Sequence, residues 1–222
     1  MEHESEIKTE TVDYYWSFRS HYCYLSIDRV MELPREFAVN IRLRPVLPLI
    51  LRTPKYFTSL PDTGVNRWSY IQKDTERIAE RLGLSFGWPD PDPVAFVPGE
   101  FKPAAEQPHI HRLNRIAVAA AQHGKELEVT AALARVIFAP QPGWENPERI
   151  RATIESVGLN YEGLMNDIES NASRLDAEID TNAEALAAAG HWGVPTLVFR
   201  GETFFGQDRI EDLRWRMQQQ GL

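Results

Sequence analysis

The spacing of apolar residues along the chain changes twice, from strand-like to helical and back. Residues 11–18 are β-branched and aromatic, which favours a strand, and apolar residues at three-to-four spacing then predict a helix that ends before Pro34. Residues 37–46 alternate apolar and polar side chains and predict a second strand. Because a helix separates the two strands, we expect them to pair in parallel as a β-α-β unit.

The middle of the chain, from residue 66 to about residue 189, carries its apolar residues mostly at helical spacing. The predicted helices end at five residues that commonly terminate helices: Gly83, Gly124, Pro140, Gly158 and Gly190. Prolines recur too often between Trp88 and Pro108 for a helix, so this stretch is a predicted loop. Residues 196–205 predict a hairpin, and a closing helix follows from about Asp208.

A β-α-β start and a β-β-α finish on either side of a helical stretch indicate an α/β fold, in which a thioredoxin-like sheet is interrupted by a large all-helical insertion. We assign residues 11–52 and 190–222 to the thioredoxin-like domain. Residues 53–189 form the predicted helical insertion domain.

Composition excludes several classes of function. The 222 residues are 43% hydrophobic and 25% charged, as expected of a globular protein. A formal net charge of −8 gives no general attraction to phosphate, so nucleic acid is not an expected partner. The charged leader at residues 1–10 has no apolar signal-peptide core, and no apolar run reaches about eighteen residues, which predicts a cytoplasmic protein without a membrane partner. The single cysteine, Cys23, makes no internal disulfide.

Ser20 lies where the first predicted strand gives way to a helix. The free N–H groups of a first helical turn and the positive end of the helix dipole favour an anion, such as a thiolate held against Ser20. Serine is also a common N-cap, so Ser20 can serve only to start the helix. We expect Cys23, three residues further on, to be a small buried hydrophobic residue and not a reactive thiol.

Two segments near the carboxyl end also carry candidate chemistry. A cis bond before Pro195 would turn the backbone of Val194 toward the first helix, although trans is the commoner form of an X-Pro bond. Residues 204–209 predict a tight turn that exposes the amide of Gln207 and the carboxylate of Asp208. Such a pair can hold the charged groups of an amino-acid-like ligand, or Asp208 can be an N-cap alone.

These segments, taken in order, resemble the motifs of the 2-hydroxychromene-2-carboxylate isomerase family, which belongs to the DsbA-like group together with the kappa-class glutathione transferases. The resemblance spans residues 12–220. It is carried by four short stretches: Ser17-Phe18-Arg19-Ser20, Tyr22-Cys23-Tyr24-Leu25, Gly193-Val194-Pro195-Thr196 and Phe205-Gly206-Gln207-Asp208-Arg209.

The resemblance implies a binding site for glutathione as cofactor. Ser20 is then the catalytic residue and donates a hydrogen bond to the sulfur of the tripeptide, and Val194 pairs with its backbone before a cis Pro195. The γ-glutamyl end is held by the turn residues Phe205, Gly206, Gln207 and Asp208.

The resemblance also implies a basic residue that meets the acid group of the substrate. Arg52 is the best match, with Lys55 as the alternative, and His111 lies where the family often has asparagine beside the substrate. Because His109 and His111 alone are too few ligands for a metal, no metal site is expected.

The first motif departs from the family at two positions. Ser17 stands where the family usually has aspartate, which changes the charge near the site. His21 stands where the family usually has proline after the serine. A protonated His21 would stabilise a neighbouring thiolate, and the other interpretation is a solvated ring with no role.

The implied activity is glutathione-dependent isomerisation of a small aromatic carboxylate in aromatic catabolism, by a protein that is a homodimer by analogy with the family. In this mechanism a thiolate adds to a conjugated carbon, the weakened bond rotates, and the thiolate leaves. A kappa-type glutathione transferase, a DsbA-like thiol-disulfide oxidoreductase and a non-catalytic glutathione or peptide binder remain alternatives.

Overall fold

A four-stranded mixed sheet forms the centre of the protein in a computed structural model, which describes residues 9–55 and 67–222. The strands are β1 (Glu10–Trp16), β2 (Val39–Pro45), β3 (Thr196–Phe199) and β4 (Glu202–Phe205). Their order in the sheet is β2-β1-β3-β4. The predicted parallel pairing of β1 with β2 and the predicted β3-β4 hairpin are both confirmed. The polar leader up to residue 8 and the predicted helix start at residue 66 lie outside the described residues.

The first predicted helix is interrupted, and the structure has α1 (His21–Tyr24) followed by α2 (Ile27–Glu36). The Ser26 Oγ donates a hydrogen bond of 2.7 Å to the carbonyl oxygen of Cys23 and lies 2.6 Å from the hydroxyl of Tyr14. These buried side-chain bonds compete with the helical backbone pattern and break the helix there. The predicted end before Pro34 is also wrong, because α2 includes this proline and continues to Glu36.

The middle of the chain is helical, as predicted. After the single turn α3 (Leu49–Arg52), the helices are α4 (Arg67–Leu82), α5 (Pro108–Ala120), α6 (Glu126–Ile137), α7 (Pro147–Ser156), α8 (Tyr161–Ser170) and α9 (Ala172–Ala188). The sequence pattern did not separate α8, which has only ten residues. A short 3-10 turn (Gln207–Arg209) leads into the last helix, α10 (Ile210–Gln219).

One hydrophobic core joins the sheet to the helices. Helices α5 and α9 pack against β2 and against each other, so the helical region covers the sheet. The Trp16 ring at the end of β1 is fully buried and makes edge contacts with Tyr14 and Phe18, at centroid distances of 5.9 and 5.8 Å. These anchored rings fix the path of the chain as it leaves β1 and thereby position Ser20.

The fold class is therefore confirmed, whereas the division into domains at residues 53 and 189 stays a prediction. No helix in the described parts of the chain has the length and apolar character needed to cross a membrane.

Candidate functional site

Ser20 links the start of α1 to the segment that precedes β3. Its Oγ accepts a hydrogen bond of 3.2 Å from the backbone N–H of Cys23, which confirms that Ser20 is the N-cap of α1. The same oxygen lies 3.5 Å from the carbonyl oxygen of Val194, at the long limit of a hydrogen bond. The hydroxyl is therefore loosely held on the Val194 side and free to donate to another acceptor.

The thiol of Cys23 is sealed inside the protein, as predicted. The residue is 0% exposed, and burial raises the pKa of the thiol to about 12. Because the thiolate is the nucleophilic form, this cysteine is unreactive at neutral pH.

The Val194-Pro195 bond is cis, as the family resemblance implies, and the expectation of the commoner trans form is wrong. The carbonyl of Pro195 accepts a hydrogen bond of 2.9 Å from the N–H of Gly206, which ties this segment to the turn after β4. Within the described residues, the backbone N–H of Val194 donates to no acceptor. Val194 therefore presents a backbone donor and a weakly held acceptor beside Ser20.

Phe205 lies on the other side of the same segment. The side chain is 42% exposed and stacks on His191, with ring centroids 3.9 Å apart. A Cβ atom at Gly193 would come within 2.5 Å of the Phe205 Cε2 atom. Only glycine at position 193 therefore lets the ring lie against the backbone next to Val194.

The turn after β4 differs from the prediction in two respects. Gln207 is only 7% exposed and its Oε1 accepts a 2.6 Å hydrogen bond from Arg29, so the expected exposed amide is wrong. The capping interpretation of Asp208 is also wrong, because no side chain caps the 3-10 turn or α10. The Asp208 carboxylate instead lies 3.4 Å from Arg209, with 59% of its side chain exposed.

His21 lies among aromatic rings. Its ring centroid is 4.4 Å from that of Tyr22, 5.3 Å from Trp88 and 6.4 Å from Trp68. Burial, followed by the charge of Arg19, lowers the pKa of His21 to about 4. The ring is therefore neutral at pH 7 and partly buried, so neither the protonated nor the solvated interpretation is correct.

A cavity of about 240 Å³ opens beside His21 and is lined by the rings of Trp68, Trp88 and Phe138. An open groove of about 470 Å³ lies next to it, with Phe96 and Phe101 in its wall. Trp68, Arg19 and Asp92 line both spaces, so we treat them together as the aromatic cleft.

Arg19 and Asp92 form an ion pair in the aromatic cleft. The Arg19 Nε and Nη2 atoms each donate to the Asp92 carboxylate at 2.8 Å, and the guanidinium lies 5.2 Å from the Phe96 ring centroid. Sequence reasoning did not assign a role to either residue, because they are 73 positions apart and Asp92 lies in the proline-rich loop. In the sequence, the feature that marked the loop of Asp92 was its repeated prolines.

Gly87 precedes Trp88, which lines the aromatic cleft, and its backbone packs against the chain at the end of α6. Its N–H donates a 2.7 Å hydrogen bond to the carbonyl oxygen of Phe138, at the end of α6. A Cβ atom at this position would lie 2.7 Å from the Cα of Pro140. The backbone of Gly87 thus packs directly on the chain after α6 and keeps Trp88 close to Phe138.

The three predicted substrate-binding residues lie in different places. Arg52 donates to the carbonyl oxygens of Leu47 and Trp192, at 2.7 and 2.8 Å, so it borders the segment before Val194. Lys55 is exposed shortly after α3.

His111 lies on α5, as does Arg115, whose hydrogen bond lowers the pKa of Asp176. No contact of His111 within the described residues reaches Ser20. The roles of all three residues stay predictions.

Comparison with known proteins agrees with this architecture. The structure is similar to a solved 2-hydroxychromene-2-carboxylate isomerase, with a TM-score of 0.72 and 19% identity over 94% of this chain and 95% of that one. It is also similar to the cytosolic disulfide reductase DsbM from Pseudomonas aeruginosa with GSH, with a TM-score of 0.64 and 15% identity over 95% of this chain and 98% of that one.

A third similar structure is a probable DsbA oxidoreductase from Streptomyces coelicolor, with a TM-score of 0.65 and 18% identity over 95% of this chain and 89% of that one. No curated protein matches the sequence. At these identities the similarities show a shared fold. Residues 11–218 match the model of one family, and the chain therefore belongs to the DSBA-like thioredoxin domain family.

Proposed function

We propose that the protein is a glutathione-dependent isomerase of an aromatic, hydroxychromene-carboxylate-type substrate. The observation that carries this proposal is the state of Cys23, the single cysteine of the chain, which is fully buried with a pKa of about 12. Thiol chemistry in this protein therefore requires a thiol from outside. The Ser20 hydroxyl and the backbone of Val194 beside it are suited to bind such a thiol.

The residues around Ser20 fit a thiol-bearing peptide. The unpartnered N–H and the weakly held carbonyl of Val194 can pair with an extended backbone, as a sheet edge pairs with an added strand. The exposed carboxylate of Asp208 can hold the ammonium group of the γ-glutamyl end. The similarity to DsbM, whose structure is with GSH, supports the same ligand.

Glutathione, when bound, supplies a thiolate that adds to a conjugated carbon of the substrate and leaves after rotation about the former double bond. The protein contributes the hydroxyl of Ser20 as a donor to the sulfur, together with the free N–H groups at the start of α1. Since α1 has only four residues, these N–H groups matter more than the dipole of a long helix. His21 is neutral and adds no charge to the thiolate.

The test is the rate of isomerisation of 2-hydroxychromene-2-carboxylate as a function of glutathione concentration. We expect saturation with glutathione and, in Ser20→Ala, a loss of about a hundredfold in kcat, as for removal of one donor from a developing anion. Cys23→Ala is the matched control and keeps the rate, because the thiol takes no part. Full activity without glutathione contradicts the mechanism.

Product analysis separates the alternatives. Mass spectrometry of the product detects a retained tripeptide only if the protein is a kappa-type transferase. Insulin reduction should be absent, since an oxidoreductase needs an accessible thiolate. Thermal stabilisation by glutathione without turnover of any electrophile would indicate a non-catalytic binder.

A further inference from the structure

Arg19 has donors that its partner does not use. A guanidinium carries five N–H groups arranged as two forks, and Asp92 takes the fork formed by Nε and Nη2. Within the described residues, the Nη1 atom of Arg19 makes no hydrogen bond. The second fork therefore remains available on a side chain that lines both parts of the aromatic cleft.

The aromatic cleft suits a flat conjugated molecule with one acidic group. Its walls are the rings of Trp68, Trp88 and Phe96, which offer the faces and edges that aromatic ligands pack against. Among the described residues that line it, Arg19 is the single cation, beside the acids Asp92 and Glu100. Among the described lining residues, an anionic group in the cleft thus has one cationic side chain with which it can pair.

We propose that the aromatic cleft holds the ring system of a flat aromatic acid and that Arg19 binds the carboxylate of this acid through its second fork. The inference rests on the proposed function and identifies the substrate site within it. Arg19 takes the role that the family resemblance gave to Arg52 or Lys55. Arg52 is not among the described residues that line the aromatic cleft, and it donates instead to the carbonyl oxygens of Leu47 and Trp192.

Asp92 then acts as a positioning residue with two opposing effects. It holds the guanidinium beside the Phe96 ring, and its charge repels a carboxylate bound at the second fork. Its Oδ1 also accepts a 2.9 Å hydrogen bond from the N–H of Val94, which orders the loop. Asn at this position keeps the Oδ1 acceptor for Val94 and for the Arg19 Nε, while its Nδ2 cannot accept from Nη2 and leaves that group to the ligand. Because the repelling charge is also removed, Asp92→Asn should strengthen the binding of an aromatic acid.

The experiment compares 2-naphthoate with the neutral naphthalene-2-carboxamide, without glutathione, by isothermal titration calorimetry on the full chain. We expect 2-naphthoate to bind at least about tenfold more tightly than the amide, as for a hydrogen-bonded charge pair. Arg19→Gln should remove this difference. Asp92→Asn should raise the affinity for the acid severalfold and leave the affinity for the amide unchanged.

Arg151→Gln is the matched control. Arg151 also lies over an aromatic ring, 4.3 Å from the centroid of Tyr161, and pairs with Glu162 at 2.5 Å, but it lies outside the aromatic cleft. Its loss should leave both affinities unchanged. Arg19→Lys keeps the charge without the fork and should retain part of the preference for the acid.

Equal affinity for acid and amide in the wild-type protein would overturn the inference, as would a loss of acid binding in Arg52→Gln but not in Arg19→Gln. If Arg19→Gln does not fold, the Asp92→Asn and Arg19→Lys variants decide the question. An affinity difference between acid and amide that neither variant changes would overturn the inference. Arg19-dependent acid binding without glutathione-dependent isomerisation supports this inference and refutes the proposed function. Glutathione-dependent isomerisation together with acid binding that is unchanged in Arg19→Gln refutes this inference and leaves the proposed function standing.

Discussion

The reactivity of Cys23 is the most direct test of the reasoning about thiols. Burial raises the pKa of the thiol from 9.0 to about 12, which is three units and lowers the fraction of thiolate about a thousandfold. This corresponds to about 4 kcal/mol at 1.36 kcal/mol per unit. The side chain is 0% exposed, so a reagent must also wait for the protein to open.

The assay is the rate of reaction with a disulfide reagent such as DTNB at pH 8, for the folded protein and for the protein unfolded in guanidinium chloride. The folded protein should react at least about a thousandfold more slowly, since thiolate fraction and access both decrease. Free glutathione in the same two buffers corrects for the effect of the denaturant on the reagent. A folded-state rate within about tenfold of the unfolded rate would contradict the burial of this thiol and its raised pKa.

The same shift predicts how stability depends on pH. The folded protein keeps a thiol proton that the unfolded chain loses above pH 9, so the stabilisation from Cys23 is complete below that pH and is lost as the pH rises toward 12. At pH 10.5 the expected loss is about 2 kcal/mol relative to Cys23→Ala, measured by urea unfolding of both proteins. Parallel pH profiles for the two proteins contradict the shift.

Three further predictions concern other parts of the structure. The pKa of His21 is lowered from 6.5 to about 4, so below pH 6.5 the unfolded chain takes up a proton that the folded protein does not. The free energy of unfolding should therefore fall by up to about 3 kcal/mol between pH 6.5 and 4. Urea unfolding of His21→Phe should lack this contribution. Gly193→Ala pushes the Phe205 ring away and should weaken glutathione binding by about 1–3 kcal/mol, measured by titration calorimetry; unchanged affinity contradicts the placement of Phe205 at the site. Tyr14→Phe removes the buried bond to Ser26 and should lower the free energy of unfolding by about 1 kcal/mol in urea, whereas an unchanged midpoint would show that the bond has no net effect.

Much of the fold was predictable because local patterns decide it. The alternation in β2 and the glycines after α4 and α7 act on neighbouring residues, and the structure follows them. The break between α1 and α2 was not predictable, because it depends on the hydroxyl of Tyr14, which reaches Ser26 from the adjacent strand. A pattern of apolar positions contains no information on that contact.

The candidate site likewise has residues that the sequence identified and properties that depend on residues far away in the chain. Ser20 and Val194 were found because their motifs are short and contiguous, and the structure places them side by side. The burial of Gln207 depends on Arg29, which is 178 positions away in the sequence. The neutral state of His21 likewise depends on rings from distant segments, so its chemistry could be assigned only from the three-dimensional structure.

Gly87 ties the proline-rich loop to the end of α6 at a position that has no room for a side chain. Its N–H donates to the carbonyl oxygen of Phe138, and a Cβ atom there would lie 2.7 Å from the Cα of Pro140. A larger residue must therefore displace one of these two backbones. We expect Gly87→Ala to change the affinity for 2-naphthoate although every ring that lines the aromatic cleft is kept.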